Sequence, residues 1–218
     1  MSLHHLITSA CVAVAVAVAP ACKKQEDKPP PATTTPTGSN AAGSATAPAD
    51  VPDDSTDRIT VLAHHKKPKP SDPVRLEFEK FKVVSADFDP KQIEGGKATI
   101  EIDLSSFQTD SNKRDEHLRS PAYLDVGKLA TATITIDNVK AKEGTTYTAD
   151  ATVAAHGITK TYPVTFEVLE TKDDRIRIKG EHTFSRIDFG IGSDPAQNPE
   201  EQVGTDVTIQ MVLTLVKS

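Results

Sequence analysis

An alternation of apolar and polar residues, returning run after run from Ile59 to Leu215, restricts this chain more than any other feature. A period of two sends successive side chains to opposite faces of a strand, whereas a helix needs a period near 3.6. Ile59, Val61 and Ala63 begin the series, and Ala98, Ile100, Ile102 and Leu104 share a face opposite Thr99, Glu101 and Asp103. Ala132, Ile134 and Ile136 stand opposite Thr131, Thr133 and Thr135, and Tyr147, Ala149, Ala151 and Val153 form a face of smaller residues. Val164, Phe166 and Val168 follow Pro163, and Ile176 with Ile178 oppose Arg175, Arg177 and Lys179. Val207, Ile209, Met211, Leu213 and Leu215 make the longest run. Val74, Leu76 and Phe78 are followed by Phe81 and Val83 in the opposite phase, which predicts a bulge or bend near Lys80.

These runs give eight candidate strands, separated by turn-like breaks at 94–96 (EGG), 142–145 (KEGT) and 171–174 (TKDD). An amphipathic antiparallel sheet of that size avoids exposed edges most simply by closing on itself. One helix is predicted, over 111–124, with Ser111 or Asn112 as its cap, Asp115 and Glu116 in its first turn and Pro121 as its stop. The expected fold is all-β, an eight-stranded antiparallel lipocalin-like barrel with one short helix. A barrel of eight strands is either just filled by its side chains or holds one slender ligand. Small inward residues such as Ala132, Ala149 and Ala151 favour the second outcome, and a dry, packed core is the competing one.

The barrel is expected over residues 58–218, because what precedes it has a different character. Residues 6–21 are apolar and end in small side chains, too short for a bilayer span of about 20 residues. Residues 1–21 therefore read as a signal peptide. Cys22 follows Ala19, Pro20 and Ala21 and suits a lipoprotein cleavage site, where it would carry the lipid anchor; an ordinary signal peptide cut near Ala21 is the alternative. The other cysteine, Cys11, lies inside the leader, so the mature chain needs no disulfide. Residues 22–57 are rich in Pro, Ala, Thr and Ser, with Val51 their sole large apolar residue, and read as a disordered linker. The expected location is the bacterial cell envelope, periplasm-facing and lipid-anchored to a membrane. Residues 1–57 hold three lysines against six acidic side chains, which leaves the remainder of a chain of net charge −6 at −3. No nucleic-acid partner is expected of a domain with no basic excess.

Three polar motifs interrupt the strands: KRDEHLRSPAYLDV at 113–126, AHGITK at 155–160 and SRIDFGIG at 185–192. With their spacing RD-x-HL-x-S-x-x-Y-x-DV and SR-x-DFGIG, they make the segment Arg58 to Ser218 resemble the YceI-like family of extracytoplasmic lipid-binding barrels. The resemblance implies a long apolar ligand, an isoprenoid lipid or a quinone, and no other cofactor. The residues expected to bind it are the inward-facing Leu76, Phe78, Ile100, Ile102, Ile134, Ile136, Phe166 and Ile178, with His117, Leu118, Tyr123 and Phe189 from the motifs. Arg114, Asp115 and His117 are close enough on one helical turn to form a charged network, either under a ligand headgroup or as a staple between helix and strands. Arg186 and Asp188 allow the same two readings. Gly157 is available for a turn with positive φ. A ligand-free module that binds another protein or the cell wall is the alternative function.

No catalytic or metal site is assigned. His64, His65, His117, His156 and His182 show no H-x-x-x-H or HExxH spacing, and on a regular strand His64 and His65 point to opposite sides. There is no G-x-S-x-G, phosphate loop or G-x-G-x-x-G, and no cysteine nucleophile survives the leader's removal. The basic, proline-broken segment 64–74 departs from the family pattern and predicts an unusual loop between the first two strands.

Overall fold

In a computed structural model, which describes residues 56–218, alternating sequence becomes a single antiparallel sheet. Its strands are β1 (Arg58–His65), β2 (Val74–Phe78), β3 (Phe81–Asp89), β4 (Gln92–Asp103), β5 (Phe107–Gln108), β6 (Thr131–Glu143), β7 (Thr146–Ala155), β8 (Ile158–Thr171), β9 (Arg175–Ser185) and β10 (Val203–Val216). One helix, α1 (Asn112–Arg119), lies between β5 and β6, and short 3₁₀ turns occupy Leu104–Ser106 and Arg186–Phe189. The proposed leader 1–21, the anchor Cys22 and the linker as far as Ser55 lie outside the described residues.

The order across the sheet is β3-β4-β6-β7-β8-β9-β10-β1-β2-β5. β2 and β3 stand near opposite ends of that order, yet only Glu79 and Lys80 separate them in the chain. They are the halves of one bent strand, the first paired with β1 and the second with β4, so the sheet curls round into a barrel. The seam is tied by Asp103 N to Lys80 O at 2.9 Å and, further along, by Ser218 N to Ala86 O at 2.9 Å. The expected count of eight strands is thus corrected to ten. The bend near Lys80 splits one expected strand in two, and β5 is an additional two-residue ladder on β2.

Other departures have local causes. The EGG break lies inside β4, where Gly95 has φ +76° and Gly96 packs so closely that a Cβ would sit 2.9 Å from Ile93 O. The turn falls earlier, at Pro90 and Lys91. The helix ends at Arg119, before the predicted 124, because Ser120 precedes Pro121 and is held extended at ψ 164°. Ser111 is its cap, its hydroxyl accepting from Arg114 N.

The two ends of the barrel differ in their connections. One end has the tight turns at 90–91, 144–145 and 172–174. The other collects the long ones: the loop 66–73, the segment 104–130 with α1, and the loop 186–202, together with the short turn at His156 and Gly157. Among the described residues no helix is long and apolar enough to cross a membrane.

Candidate ligand site

A cavity of about 220 Å³ occupies the α1 end of the barrel. Allowing about 10–15 Å³ for each water-sized group, it has room for roughly 15–20 methylene-sized groups. Its wall alternates down the strands that reach this end: Val61 and Ala63 from β1, Val74, Leu76 and Phe78 from β2, Ile102 from β4, Ala132 and Ile134 from β6, Val153 and Ala155 from β7, and Val207 and Ile209 from β10. Leu118 of α1 and Tyr123 and Leu124 beyond it close one side, and Phe184, Phe189 and Ile191 another.

Eight of the twelve residues expected to bind a ligand lie on this wall: Leu76, Phe78, Ile102, His117, Leu118, Tyr123, Ile134 and Phe189. Ile100, Ile136, Phe166 and Ile178 do not. Ile100 and Ile136 are each two residues farther from the mouth than Ile102 and Ile134, about 6.7 Å along the strand. There Ile100 belongs with Ile178 to the packed core, and the half-buried Ile136 packs against it. Phe166 stacks on Tyr147 at 5.7 Å between ring centroids. The inward face is correctly apolar over its full length, but the chamber occupies one end only.

Polar side chains hold the mouth. Arg186 is 3% exposed and spends its donors on backbone: Nε to Gly204 O at 2.7 Å, Nη1 to Ile191 O at 2.5 Å, and Nη2 to Ser193 O and Val203 O at 2.9 Å each. The buried Glu201 carboxylate lies 3.7 Å from Arg186 and accepts from Val203 N, Ser193 N and the Tyr123 hydroxyl, the last at 2.8 Å. Burial acts to raise the pKa of Glu201, but the Val203 amide, the Tyr123 hydroxyl and the Arg186 charge together hold it below the usual carboxylate value. Tyr123 is pushed up to about 12, first by burial and then by its bond to Glu201. Gly192 is required here: with φ +69°, a Cβ on it would lie 2.4 Å from Arg186 Nη1.

The helix is fixed by a separate staple. Arg119 Nη2 donates to Phe107 O at 2.6 Å, and its guanidinium lies 4.6 Å above the Phe107 ring. Arg114, Asp115 and His117 do not form the single network their spacing suggests. Arg114 pairs with Asp110, the buried Asp115 accepts from Thr109 Oγ1 at 2.6 Å, and the His117 ring packs on Tyr123 at 5.0 Å. Asp188 accepts instead from the Tyr162 hydroxyl, at 3.5 Å. Arg186 is thus a staple, but its partners are backbone carbonyls and Glu201, which in turn accepts from Tyr123.

At the β1 rim the ladder with β10 shifts register between Ala63 and His65, and both His64 and His65 reach the cavity wall. The expectation that only one could do so fails because it assumed an unbroken strand. The basic loop is tied back by Asp72, which accepts from His65 Nδ1, His65 N and Lys69 N. The His65 side-chain bond is the largest cause that brings the Asp72 pKa down to about 2. No group of His, Cys, Asp or Glu among the described residues is placed to hold a metal ion.

Sequence reasoning missed Glu201, His156 and the wall residues nearest the mouth, such as Ala63, Ala155 and Ile191. Connection length would have found that end, since long loops gather where a rigid barrel presents its site.

Fold and site together define a lidded antiparallel barrel with one apolar chamber. The chain belongs to the YceI-like domain family, whose model matches residues 53–215. Among curated relatives, the UPF0312 protein ECA1782 of Pectobacterium atrosepticum is 32% identical over 123 residues, covering 53% of this chain and 64% of that protein. Protein YceI of Salmonella arizonae is 34% identical over 125 residues, with the same coverage of 53% and 64%. The chain thus spans slightly under two thirds of the length of these relatives. Among solved structures, Burkholderia cenocepacia BcnA shares the fold at a TM-score of 0.65 and 19% identity, over 75% of this chain and 99% of that one. A polyisoprenoid binding domain from Saccharophagus degradans does so at 0.57 and 16%, over 74% and 94%.

Proposed function

We propose that this protein is an envelope lipoprotein whose barrel holds a long, slender apolar molecule, such as an isoprenoid lipid or quinone. The observation that carries the reading is the chamber, walled by aliphatic and aromatic side chains and shut at its inner end by packed core. Burial of an alkyl chain is worth about 0.8 kcal/mol per methylene, so a chain of ten or more groups binds without any directional contact. Membership of the YceI-like family supports the reading, and the Saccharophagus neighbour is itself a polyisoprenoid binding domain. Cys22 behind an apolar leader supports a lipid anchor, and residues 22–57 a tether that leaves the barrel free on the periplasmic side of a membrane.

Native mass spectrometry of full-length protein taken from the envelope without delipidation tests the cargo. The expected spectrum shows the polypeptide with one added apolar molecule. Repeated recovery of the bare polypeptide, together with failure to take up a hydrophobic dye, would leave only an interaction module that works without a ligand. Cys22→Ser tests the anchor and should move the protein from the membrane to the soluble fraction; unchanged membrane association sinks it.

A further inference from the structure

Given the chamber as the ligand site proposed above, its depth decides how much of an occupant the barrel can cover. The deepest inward residue to line it is Val61 on β1, Ile102 on β4, Ile134 on β6, Val153 on β7 and Ile209 on β10. One pleat deeper on the same strands come Ile59, Ile100, Ile136, Ala151 and Met211, and none of these lines it. The wall also stops at the same rung on paired strands. Val61 faces Ile209 and Ile134 faces Val153 at the last lining rung, whereas Ile59 faces Met211 and Ile136 faces Ala151 beyond it. Ile59 and Ile100 are each 1% exposed and belong to the packed cluster, and Ile136 and Met211 pack against it. The chamber therefore has a floor. A second hollow, of about 370 Å³, shares none of the chamber's lining residues and carries Glu167, Lys179 and Glu181, so it does not continue the apolar path.

We infer that this floor sets a length limit on the ligand: the barrel covers one chain of about 15–20 carbons, or about three to four isoprene units, and leaves anything longer outside. A lipid that buries two such chains side by side exceeds the same space. Each methylene that enters leaves water and adds to affinity, whereas one held back by the floor stays outside and adds nothing. The floor does not yield to a longer chain, because close-packed interiors resist extra methylenes. Selection among apolar molecules thus falls on the length and number of their chains.

Displacement of N-phenyl-1-naphthylamine from the full chain by saturated fatty acids, from octanoic to tetracosanoic acid and each below its micelle concentration, tests the limit. The concentration for half displacement should fall about three- to fourfold with each added carbon and level off at about 15–20 carbons. Ala132→Leu adds about three carbons to the wall and should bring the levelling point down by about that number. Ile134→Ala removes about as many at the last lining rung and should move it up; the leucine variant carries the test if the alanine variant does not fold. A gain that continues through tetracosanoic acid, or that ends below about ten carbons, overturns the limit and leaves apolar binding intact. A levelling point that Ala132→Leu does not move overturns the assignment of the limit to this chamber. Displacement by none of the acids overturns the chamber reading as well.

Discussion

Away from α1, the inward residues Ile100, Val168, Ile176, Ile178, Leu213 and Leu215 pack into one cluster; two residues nearer the mouth on β4, Ile102 borders a chamber. The side chains of the two halves are of the same kind. What differs is how each end is closed. At the tight-turn end, the β3–β4 hairpin brings in Phe88 and Ile93, the irregular β6 brings in Val139, and Tyr147 stacks on Phe166. Gly180 leaves room for that pair, since a Cβ there would lie 3.2 Å from Phe166 Cβ. At the mouth the closing segments are anchored by their backbone, which Arg186 and Arg119 hold through carbonyl oxygens. Small side chains do not mark the hollow: Ala149 and Ala151 lie in the filled half, and of the three alanines singled out in the sequence only Ala132 faces the chamber. The chamber is kept open by a lid whose polar groups bond to one another instead of filling the space with apolar side chains.

The comparison breaks most severely at Arg186. Arg186→Met leaves four carbonyls and the Glu201 carboxylate buried without their cation, and should destabilise the domain by about 3–5 kcal/mol, read from urea unfolding. A loss below about 1 kcal/mol would mean that the lid is held by something else. Ile100→Ala and Ile102→Ala then separate the halves on one strand. Both side chains are buried, but only Ile100 is packed on all sides, so its loss is expected near 3–4 kcal/mol and that of Ile102 near 2 kcal/mol, where a cavity already exists. Only Ile102→Ala should alter dye uptake. Enlarging side chains inverts the pattern: Ala151→Leu overpacks the filled half at a cost of about 1–3 kcal/mol, whereas Ala132→Leu should stay within about 0.5 kcal/mol and reduce dye binding. Equal effects from the two leucines would contradict the division into filled and hollow halves.

These contrasts explain what the sequence could disclose. Alternation made the strands legible, and the phase change across Lys80 made the bend legible, because both are properties of consecutive residues. Strand number was miscounted where β5 has two residues, Phe107 and Gln108, too short for any period. The chamber was half legible. Leu76 and Ile134 follow from parity alone, but parity is the same for Ile134 and Ile136, and which one meets a neighbour depends on packing from other strands. Glu201 carried no local signal, since its partners Tyr123 and Arg186 are 78 and 15 positions away. His64 and His65 were separated by a rule for regular strands that the bulge after Ala63 suspends.

The effect most specific to the lid is a modest one. Tyr123 has its folded pKa raised to about 12 from an ordinary 10.0 by burial and by the Glu201 bond, so the folded state holds that proton more tightly than the unfolded chain does. A raised folded pKa contributes stability in full below about pH 10 and loses it as pH climbs through about 12. Urea midpoints should therefore fall across that alkaline interval. Tyr123→Phe should cost about 1 kcal/mol near neutrality through the lost bond to Glu201, and should flatten the alkaline fall because the titrating group is gone. Tyr162 remains as an internal control: it is also shifted upward, first by burial, so the variant should retain a residual slope. If Tyr123→Phe follows the same alkaline curve as the unmutated protein, the hydroxyl is not the group that couples the lid to pH, and the closure of the mouth must be sought in Arg186 and the backbone alone.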